Sequence, residues 1–308
     1  MILVLSLLLA ACGGEGEPTS VETDQPVTTR APEAAPTESE ETLPDQQFSV
    51  DQEFWHSGFH IELGDGRFFA TEDDLSGEIS YFMSIAARFK NLGGFDTFFD
   101  GSVSLVTESG SVPALLSSEL PSVPTGLSAE GEFIFAVDQE FDPESAQLLV
   151  GSSGENRAQI PLGTQGGDLI TLEPTQPAIS GSISMELIDL RFTSAELRAD
   201  RLENYTQVEA GKLALTLYFD ATSRKSGNWS IQPQNFALIL PSGSSVGLDG
   251  SELASLPGSE AGTDTSDLFV RFLVDDPPTG SYTLRFTPGM WFIGEDGVEE
   301  ASFEFTLE

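Results

Sequence analysis

The feature that most constrains this fold is a repetition inside the 308-residue chain. Residues 118–124 return as residues 251–257 with the shared pattern Ser-Glu-Leu-x-Ser-x-Pro, and residues 133–138 resemble residues 270–275. Three further pairs of blocks keep the same order: residues 62–68 with 186–192 at a displacement of 124, residues 79–93 with 212–223 at 133, and residues 103–113 with 236–246 at 133. Five ordered blocks predict two tandem copies of one structural unit, the second with a longer loop around residues 197–208.

Apolar and polar residues alternate inside the blocks. Phe133, Phe135 and Val137 share one face of such a segment, as half-buried strands require. Gly, Ser, Asp and Pro clusters separate the segments, and no stretch shows the periodicity of an ordinary helix. We therefore predict an all-β chain of two tandem immunoglobulin-like antiparallel β-sandwiches over residues 48–163 and 181–308, joined by a linker at 164–180.

The first strand of each copy changes its apolar face part-way. Phe59, Ile61 and Leu63 share one face, whereas Phe68 belongs to the opposite phase. The second copy has the same change within residues 183–192. A β-bulge or a switch between two sheets produces such a change. A first strand divided between sheets is frequent in immunoglobulin-like folds, so the change favours that fold over a barrel.

The first pair of blocks also repeats an aspartate and an arginine, as Asp65/Arg67 and Asp189/Arg191. Each pair is spaced to lie on one strand face. We expect a salt bridge, or an edge charge that discourages sheet-to-sheet pairing.

The N-terminus predicts a lipoprotein signal. Residues 2–9 are apolar but too few to span a bilayer, and the following Leu9-Ala10-Ala11-Cys12 resembles the bacterial lipobox. This resemblance implies that residues 1–12 form a signal peptide and that Cys12 becomes the lipidated, membrane-bound N-terminus, although no basic residue precedes the apolar run. As Cys12 is the single cysteine, the two domains must be stable without a disulfide.

Residues 13–47 predict a disordered acidic linker. They are rich in Glu, Thr, Pro, Ser and Ala and have no aromatic residue before Phe48, so they cannot bury enough apolar surface to fold. The whole chain carries a formal charge of −37. Such a charge repels nucleic acid, and we exclude nucleic acid as a partner.

Four segments of the first copy carry a family resemblance: residues 82–93 ending in Phe-Lys-Asn-Leu-Gly, residues 103–110, residues 123–126 and residues 131–137. Together, residues 54–162 resemble the immunoglobulin-like extracellular domains of unknown function that many bacterial lipoproteins carry, grouped with mycobacterial immunoprotective antigens. The resemblance implies a secreted binding or structural module and supplies no catalytic residues.

Candidate chemistry is sparse. His56 and His60, the two histidines, would lie about 13 Å apart if they shared one strand face, too far to share a metal. We predict both to be surface residues. No nucleophile elbow or phosphate-binding glycine loop accompanies them, so we expect no catalytic residues, cofactor or resident metal.

Two kinds of ligand stay open. Carboxylate clusters suit calcium, best at Asp138, Glu140 and Asp142. Aromatic residues suggest a sugar platform, although the excess of Phe over Trp and Tyr is more typical of a core. The candidates for that platform are Trp55, Trp229 and Trp291, or Phe95, Phe98 and Phe99.

The sequence thus predicts a non-enzymatic cell-envelope lipoprotein, anchored through Cys12 on the extracytoplasmic side, that displays its tandem domains for protein interaction or envelope architecture. The alternative is an extracellular ligand-binding module for a glycan or for calcium-dependent adhesion. The partner, protein or glycan, is not identified by the residues.

Overall fold

The computed structural model describes residues 43–73, 76–115, 118–253, 255–287 and 300–308. The predicted signal peptide with Cys12, and residues 13–42 of the predicted linker, lie outside these residues. Residues 45–47, which we assigned to the linker, belong to the first strand.

The described residues of the first sandwich form eleven strands: β1 Asp45–Ser49, β2 Glu53–His56, β3 Phe59–Glu72, β4 Ile79–Asn91, β5 Thr97–Phe98, β6 Val103–Thr107, β7 Gly110–Pro113, β8 Ser122–Val123, β9 Ser128–Val137, β10 Gln147–Val150 and β11 Ala158–Pro161. One antiparallel sheet has the order β1-β3-β4-β9, with β2 also paired to β3, and the other has the order β11-β10-β6-β7. Fully buried side chains from both sheets, including Ile85, Phe133 and Leu148, form one core between them.

The second sandwich contains β12 Gly181–Ser184, β13 Ile188–Arg198, β14 Asp200–Arg201, β15 Thr206–Gln207, β16 Lys212–Ser223, β17 Gly227–Ser230, β18 Phe236–Ile239, β19 Ser245–Val246, β20 Gly250–Glu252, β21 Ser255–Ser259, β22 Asp264–Asp275, β23 Gly280–Phe286 and β24 Ala301–Leu307. Its sheets have the orders β12-β13-β16-β22-β20 and β19-β18-β23-β24. Leu217, Val270 and Leu284 are fully buried in a second, separate core.

The two halves share one strand order. The path β11-β10-β6-β7 is repeated by β24-β23-β18-β19, and β2-β3-β4-β9 by β12-β13-β16-β22, since Phe54 lies opposite Ile61 as Ile183 lies opposite Leu190. The short pair β5-β8 also has its counterpart in β17-β21. The prediction of an all-β chain with antiparallel sheets packed as sandwiches is confirmed.

Strand pairing corrects the alignment of the second pair of blocks. Ile85 lies opposite Phe133, and Leu217 lies opposite Val270. Because Phe133 and Val270 are equivalent, so are Ile85 and Leu217, a displacement of 132 positions and not 133. The difference of one residue matters because it exchanges the two faces of a strand.

The first pair of blocks is further out of register. Phe59 pairs with Asn91 and Ile188 pairs with Ser223, so the displacement there is 129 (59 to 188) and not 124. The prediction that Asp65/Arg67 and Asp189/Arg191 are repeated pairs was wrong. Arg67 binds Asp45 at 2.8 Å and Arg191 binds Asp220 at 3.0 Å.

A different ion pair is shared by the two copies. Glu62 lies opposite Arg88 on β4, and Arg191 lies opposite Asp220 on β16. These positions are equivalent at the corrected displacements, so the same cross-strand pair is kept with its charges exchanged. Opposite charges on facing strands stabilise either arrangement.

The predicted change of face in the first strand has two different causes. In β3 a bulge between Leu63 and Gly66 shifts the pairing with β4, which confirms one of the two predicted causes. In the second copy the change predicted within residues 183–192 falls at a tight turn between β12 and β13, where the Met185 N–H donates to the Ile188 carbonyl. The counterpart of the β3 bulge lies further along β13, between Phe192 and Ser194.

We predict that Phe133→Ala lowers the free energy of unfolding by about 3–5 kcal/mol, because the fully buried ring leaves a cavity that the sheets cannot close. Phe98→Ala is the matched control, with a ring 58 % exposed and an expected change within about 0.5 kcal/mol. Urea titration followed by circular dichroism measures both. Equal losses in the two variants would contradict the placement of this core.

Candidate functional site: the junction of the two sandwiches

The loop between β13 and β16 reaches across to the first sandwich. This arm comprises residues 199–211 and carries the short pair β14-β15. It is the longer loop that the sequence predicted for the second copy. Its role as a connection between the domains was not predicted.

Tyr205 at the tip of the arm inserts into the first sandwich. Its ring lies 5.8 Å from that of Phe59 and 4.5 Å from that of Phe95, centroid to centroid. Its phenol oxygen lies 2.9 Å from Asn91 Oδ1 and accepts a hydrogen bond of 3.2 Å from the Phe95 N–H. A Cβ on Gly93 would lie 2.3 Å from a ring carbon of Tyr205. The ring therefore fits only because position 93 has no side chain.

The turn between β2 and β3 binds the base of the arm. The Ser57 N–H donates to Gln207 Oε1 at 3.0 Å, and the Gly58 N–H donates to Asp200 Oδ2 at 2.7 Å. Gly58 has φ +78°, a left-handed conformation that favours glycine. Asp200 is buried and also accepts from Arg198 Nε at 2.7 Å. One carboxylate thus joins the two sandwiches and neutralises a buried guanidinium.

Asn156 makes a second set of bonds across the junction. Its backbone N–H donates to the Val208 carbonyl at 2.9 Å, and its side-chain amide donates to the Lys212 carbonyl at 2.7 Å. The Ala210 N–H donates to the Gly154 carbonyl at 2.9 Å. Backbone N–H and carbonyl groups of one sandwich therefore find their hydrogen-bond partners in the other.

Residues 164–180, predicted as a linker, are hydrogen-bonded to both sandwiches. The Thr171 carbonyl accepts from the Trp55 N–H at 2.9 Å, and Thr175 exchanges backbone hydrogen bonds with Leu197. The connecting segment is thus an ordered part of the junction.

A partly buried ion network supports the arm from beneath. Arg201 and Arg271 both donate to Asp249, at 2.7 and 3.0 Å, and Arg271 also binds Glu203 at 2.7 Å. Burial raises the pKa of Asp249, but the hydrogen bonds from the two arginines outweigh burial and lower its pKa overall. Such a network keeps the arm in one arrangement, because separating any charge from its partner would cost free energy of folding.

His56 is buried at the same junction, which makes the prediction of a surface histidine wrong for this residue. Its side chain is 1 % exposed, and Nδ1 has no hydrogen-bond partner in the described part of the chain. Burial lowers its pKa from 6.5 to about 4, against the opposing influence of Asp200, Glu155 and Asp100. His56 and His60 do not share a strand, because the β2–β3 turn separates them.

We predict that acid weakens the fold through His56. Its folded pKa is depressed, so the neutral form is favoured and its contribution is fully present above pH 6.5. As pH falls from 6.5 towards 4, the unfolded chain takes up the proton first, and up to about 3 kcal/mol of stability is lost. His56→Gln removes this part of the pH dependence in urea titrations, whereas His60→Gln keeps it. Parallel pH profiles for wild type and His56→Gln would refute the assignment.

We predict that Tyr205→Ala uncouples the two sandwiches. The substitution removes the ring contacts and the hydrogen bonds of the phenol. We expect calorimetry to resolve two unfolding transitions in this variant and a single transition in the wild type. Tyr81→Ala, which alters a half-buried ring outside the junction, is expected to lower a single transition. If Tyr205→Ala also unfolds in one step, the arm does not couple the cores.

The carboxylate oxygens of the predicted calcium cluster do not come together around one point. Asp138 and Asp142 accept hydrogen bonds from the backbone N–H groups of Glu140 and Glu144. The three carboxylates line an open cleft of about 290 Å³ beside Phe141. Their oxygens do not form a set within 4.8 Å of one another.

The aromatic candidates for a sugar platform differ in their exposure. Phe99 is buried, whereas Phe95 and Phe98 are 51 % and 58 % exposed. Trp55 stacks on His60 with centroids 4.5 Å apart. Trp291 and the side chain of Trp229 lie outside the described part of the structure.

Comparisons with known proteins give no family. No family model matches the chain, and no curated protein matches it. Two solved structures are similar to part of it. A conserved hypothetical protein from Bacillus anthracis is 16 % identical, with a TM-score of 0.28, and the match covers 38 % of this chain and 96 % of that one. A functionally unknown protein from Listeria monocytogenes EGD-e is 12 % identical, with a TM-score of 0.30, and the match covers 39 % of this chain and 89 % of that one. Within the described residues, we find no helix of the length and apolar character needed to span a membrane.

Proposed function

We propose that this chain is a non-enzymatic cell-envelope lipoprotein, anchored through Cys12, whose two immunoglobulin-like domains form one rigid unit for protein interaction or envelope architecture. The arm at residues 199–211 is the observation that carries the proposal. A junction with a half-buried aromatic ring and directional hydrogen bonds fixes the geometry between two domains, which is what a spacer or a display scaffold needs.

The carboxyl groups support a structural role. Wherever the pKa of a described carboxyl is displaced, it is lowered, namely at Asp45, Glu186, Glu203 and Asp249. Hydrogen bonds from Arg or Lys side chains produce this direction in each case, at Glu203 and Asp249 against the effect of burial. A general acid for glycoside hydrolysis requires the opposite shift, so these carboxylates suit ion pairing.

Two exposed apolar side chains on neighbouring segments beside the junction support a protein partner, and we take Phe98 and Leu127 together as the candidate patch. Phe98 and Leu127 are 58 % and 59 % exposed. Their segments are held together, since Asp96 Oδ1 accepts from the Thr125 N–H at 2.9 Å and the Asn91 amide donates to the Val123 carbonyl at 2.9 Å. Large apolar side chains on a fixed surface are typical of protein-binding sites.

The proposal is tested on the full chain in a bacterial host. We predict that the wild type incorporates labelled fatty acid and sediments with membranes, whereas Cys12→Ser does neither, because the thiol is the attachment point. Chemical crosslinking of wild-type cells is expected to give a protein adduct that Phe98→Ser/Leu127→Ser loses.

The matched control is Ile79→Ser/Leu169→Ser, which removes two exposed apolar side chains outside the patch and is expected to keep the adduct. Unchanged fatty-acid labelling in Cys12→Ser would refute the anchor. Equal adduct yields in the two double variants would refute the patch.

A further inference from the structure

Three potential metal ligands meet on the outer face of the first sandwich. One ligand atom from each of Glu53, His60 and Glu62 lies within 4.8 Å of the other two. The strand register brings them together, because Glu53 on β2 is directly opposite Glu62 on β3, and Trp55 is opposite His60. A tight hairpin therefore places all three on one side of the sheet.

The histidine is already oriented towards the carboxylates. His60 Nε2 lies 2.8 Å from Glu53 Oε2. The ring is stacked on Trp55 at an interplanar angle of 11°, which fixes its plane. A tetrahedral divalent ion bound at about 2.1 Å holds its ligand atoms about 3.4 Å apart. Only small side-chain movements would bring this cluster to that spacing.

We propose that Glu53, His60 and Glu62 form a site for a divalent transition-metal ion, with Zn²⁺ as the best match. One imidazole with two carboxylates favours Zn²⁺ over Ca²⁺ and Mg²⁺, which prefer oxygen ligands alone. The glutamates are 55 % and 48 % exposed, so an ion can enter from solvent. Three protein ligands leave a position for water or for a ligand atom of a second molecule.

Arg88 is the competing cation, and its position is compatible with metal binding. Its Nη1 lies 3.7 Å from Glu62 Oε2, and its Nε lies 3.8 Å from Glu130 Oε1. Both distances exceed a hydrogen bond. Arg88 therefore holds Glu62 weakly, and Glu130 remains as its partner once Glu62 binds an ion.

The site belongs to the first sandwich alone. At the corrected displacement, His60 corresponds to Asp189 and Glu62 to Arg191, and the residue opposite Arg191 is Ser182. A guanidinium in place of a carboxylate repels a cation. The fold by itself does not require these three ligands, since the second sandwich has the same strands without them.

The test is titration of residues 13–308 with Zn²⁺ by isothermal calorimetry, with Co²⁺ absorption as a second readout. We expect one Zn²⁺ per chain at this site, a tetrahedral Co²⁺ spectrum, and an affinity reduced roughly tenfold or more in both His60→Ala and Glu62→Gln. Glu62→Gln keeps the side-chain shape, so a loss of binding in that variant does not reflect misfolding.

The control is Asp138→Asn/Glu140→Gln/Asp142→Asn, which removes three negative charges from the acidic cleft and is expected to leave Zn²⁺ binding unchanged. The proposal is overturned if wild type binds no Zn²⁺. It is also overturned if His60→Ala and Glu62→Gln bind as tightly as wild type, or if the control loses binding to the same extent as they do.

Discussion

The contact between the arm and the β2–β3 turn is the interaction on which the two-domain structure depends. Each sandwich buries its own core, so the hydrophobic effect does not require the two to be joined. Their arrangement is set instead by directional bonds from Asp200, Gln207 and Tyr205 to the turn and to Asn91. These bonds are short and mostly buried, where an unmade bond is costly.

The same contact explains residues that are unusual for a sandwich of this kind. Gly58 and Gly93 leave room for the Tyr205 ring. Arg198 and Asp200 are buried charges that neutralise each other. His56 remains neutral because its surroundings exclude water. Tyr205 and Asp200 thus account for the two glycines and for the buried Arg198, whereas burial accounts for the neutral His56.

The sequence predicted the fold class because the alternation of apolar and polar residues and the turn residues between strands are local signals. It located the fourth and fifth pairs of repeat blocks in register, but it misplaced the first two. In the third pair one displacement does not hold throughout, because Leu105 lies opposite Val112 whereas Leu238 lies opposite Val246. Identity between residues 62–68 and 186–192 was misleading, since the pairs Phe59/Asn91 and Ile188/Ser223 define a different register. Register depends on cross-strand partners, which lie far apart in the chain.

The junction was harder to predict than the cores. Nothing local marks Tyr205 as a residue that docks on another domain, and His56 lies in a strand whose partner is known only from the fold. The longer second-copy loop was a usable signal, because an insertion in one of two copies suggests a function specific to that copy. The Glu53, His60 and Glu62 cluster also needed the hairpin, which brings Glu53 and Glu62, nine positions apart, directly opposite each other.

The most direct measurement is of backbone N–H residual dipolar couplings for residues 13–308 in a weakly aligning medium. If the junction holds the sandwiches as one body, couplings from both fit a single alignment tensor calculated from one arrangement. Two tensors of different magnitude, one for each sandwich, would show that the domains move independently and would contradict the account.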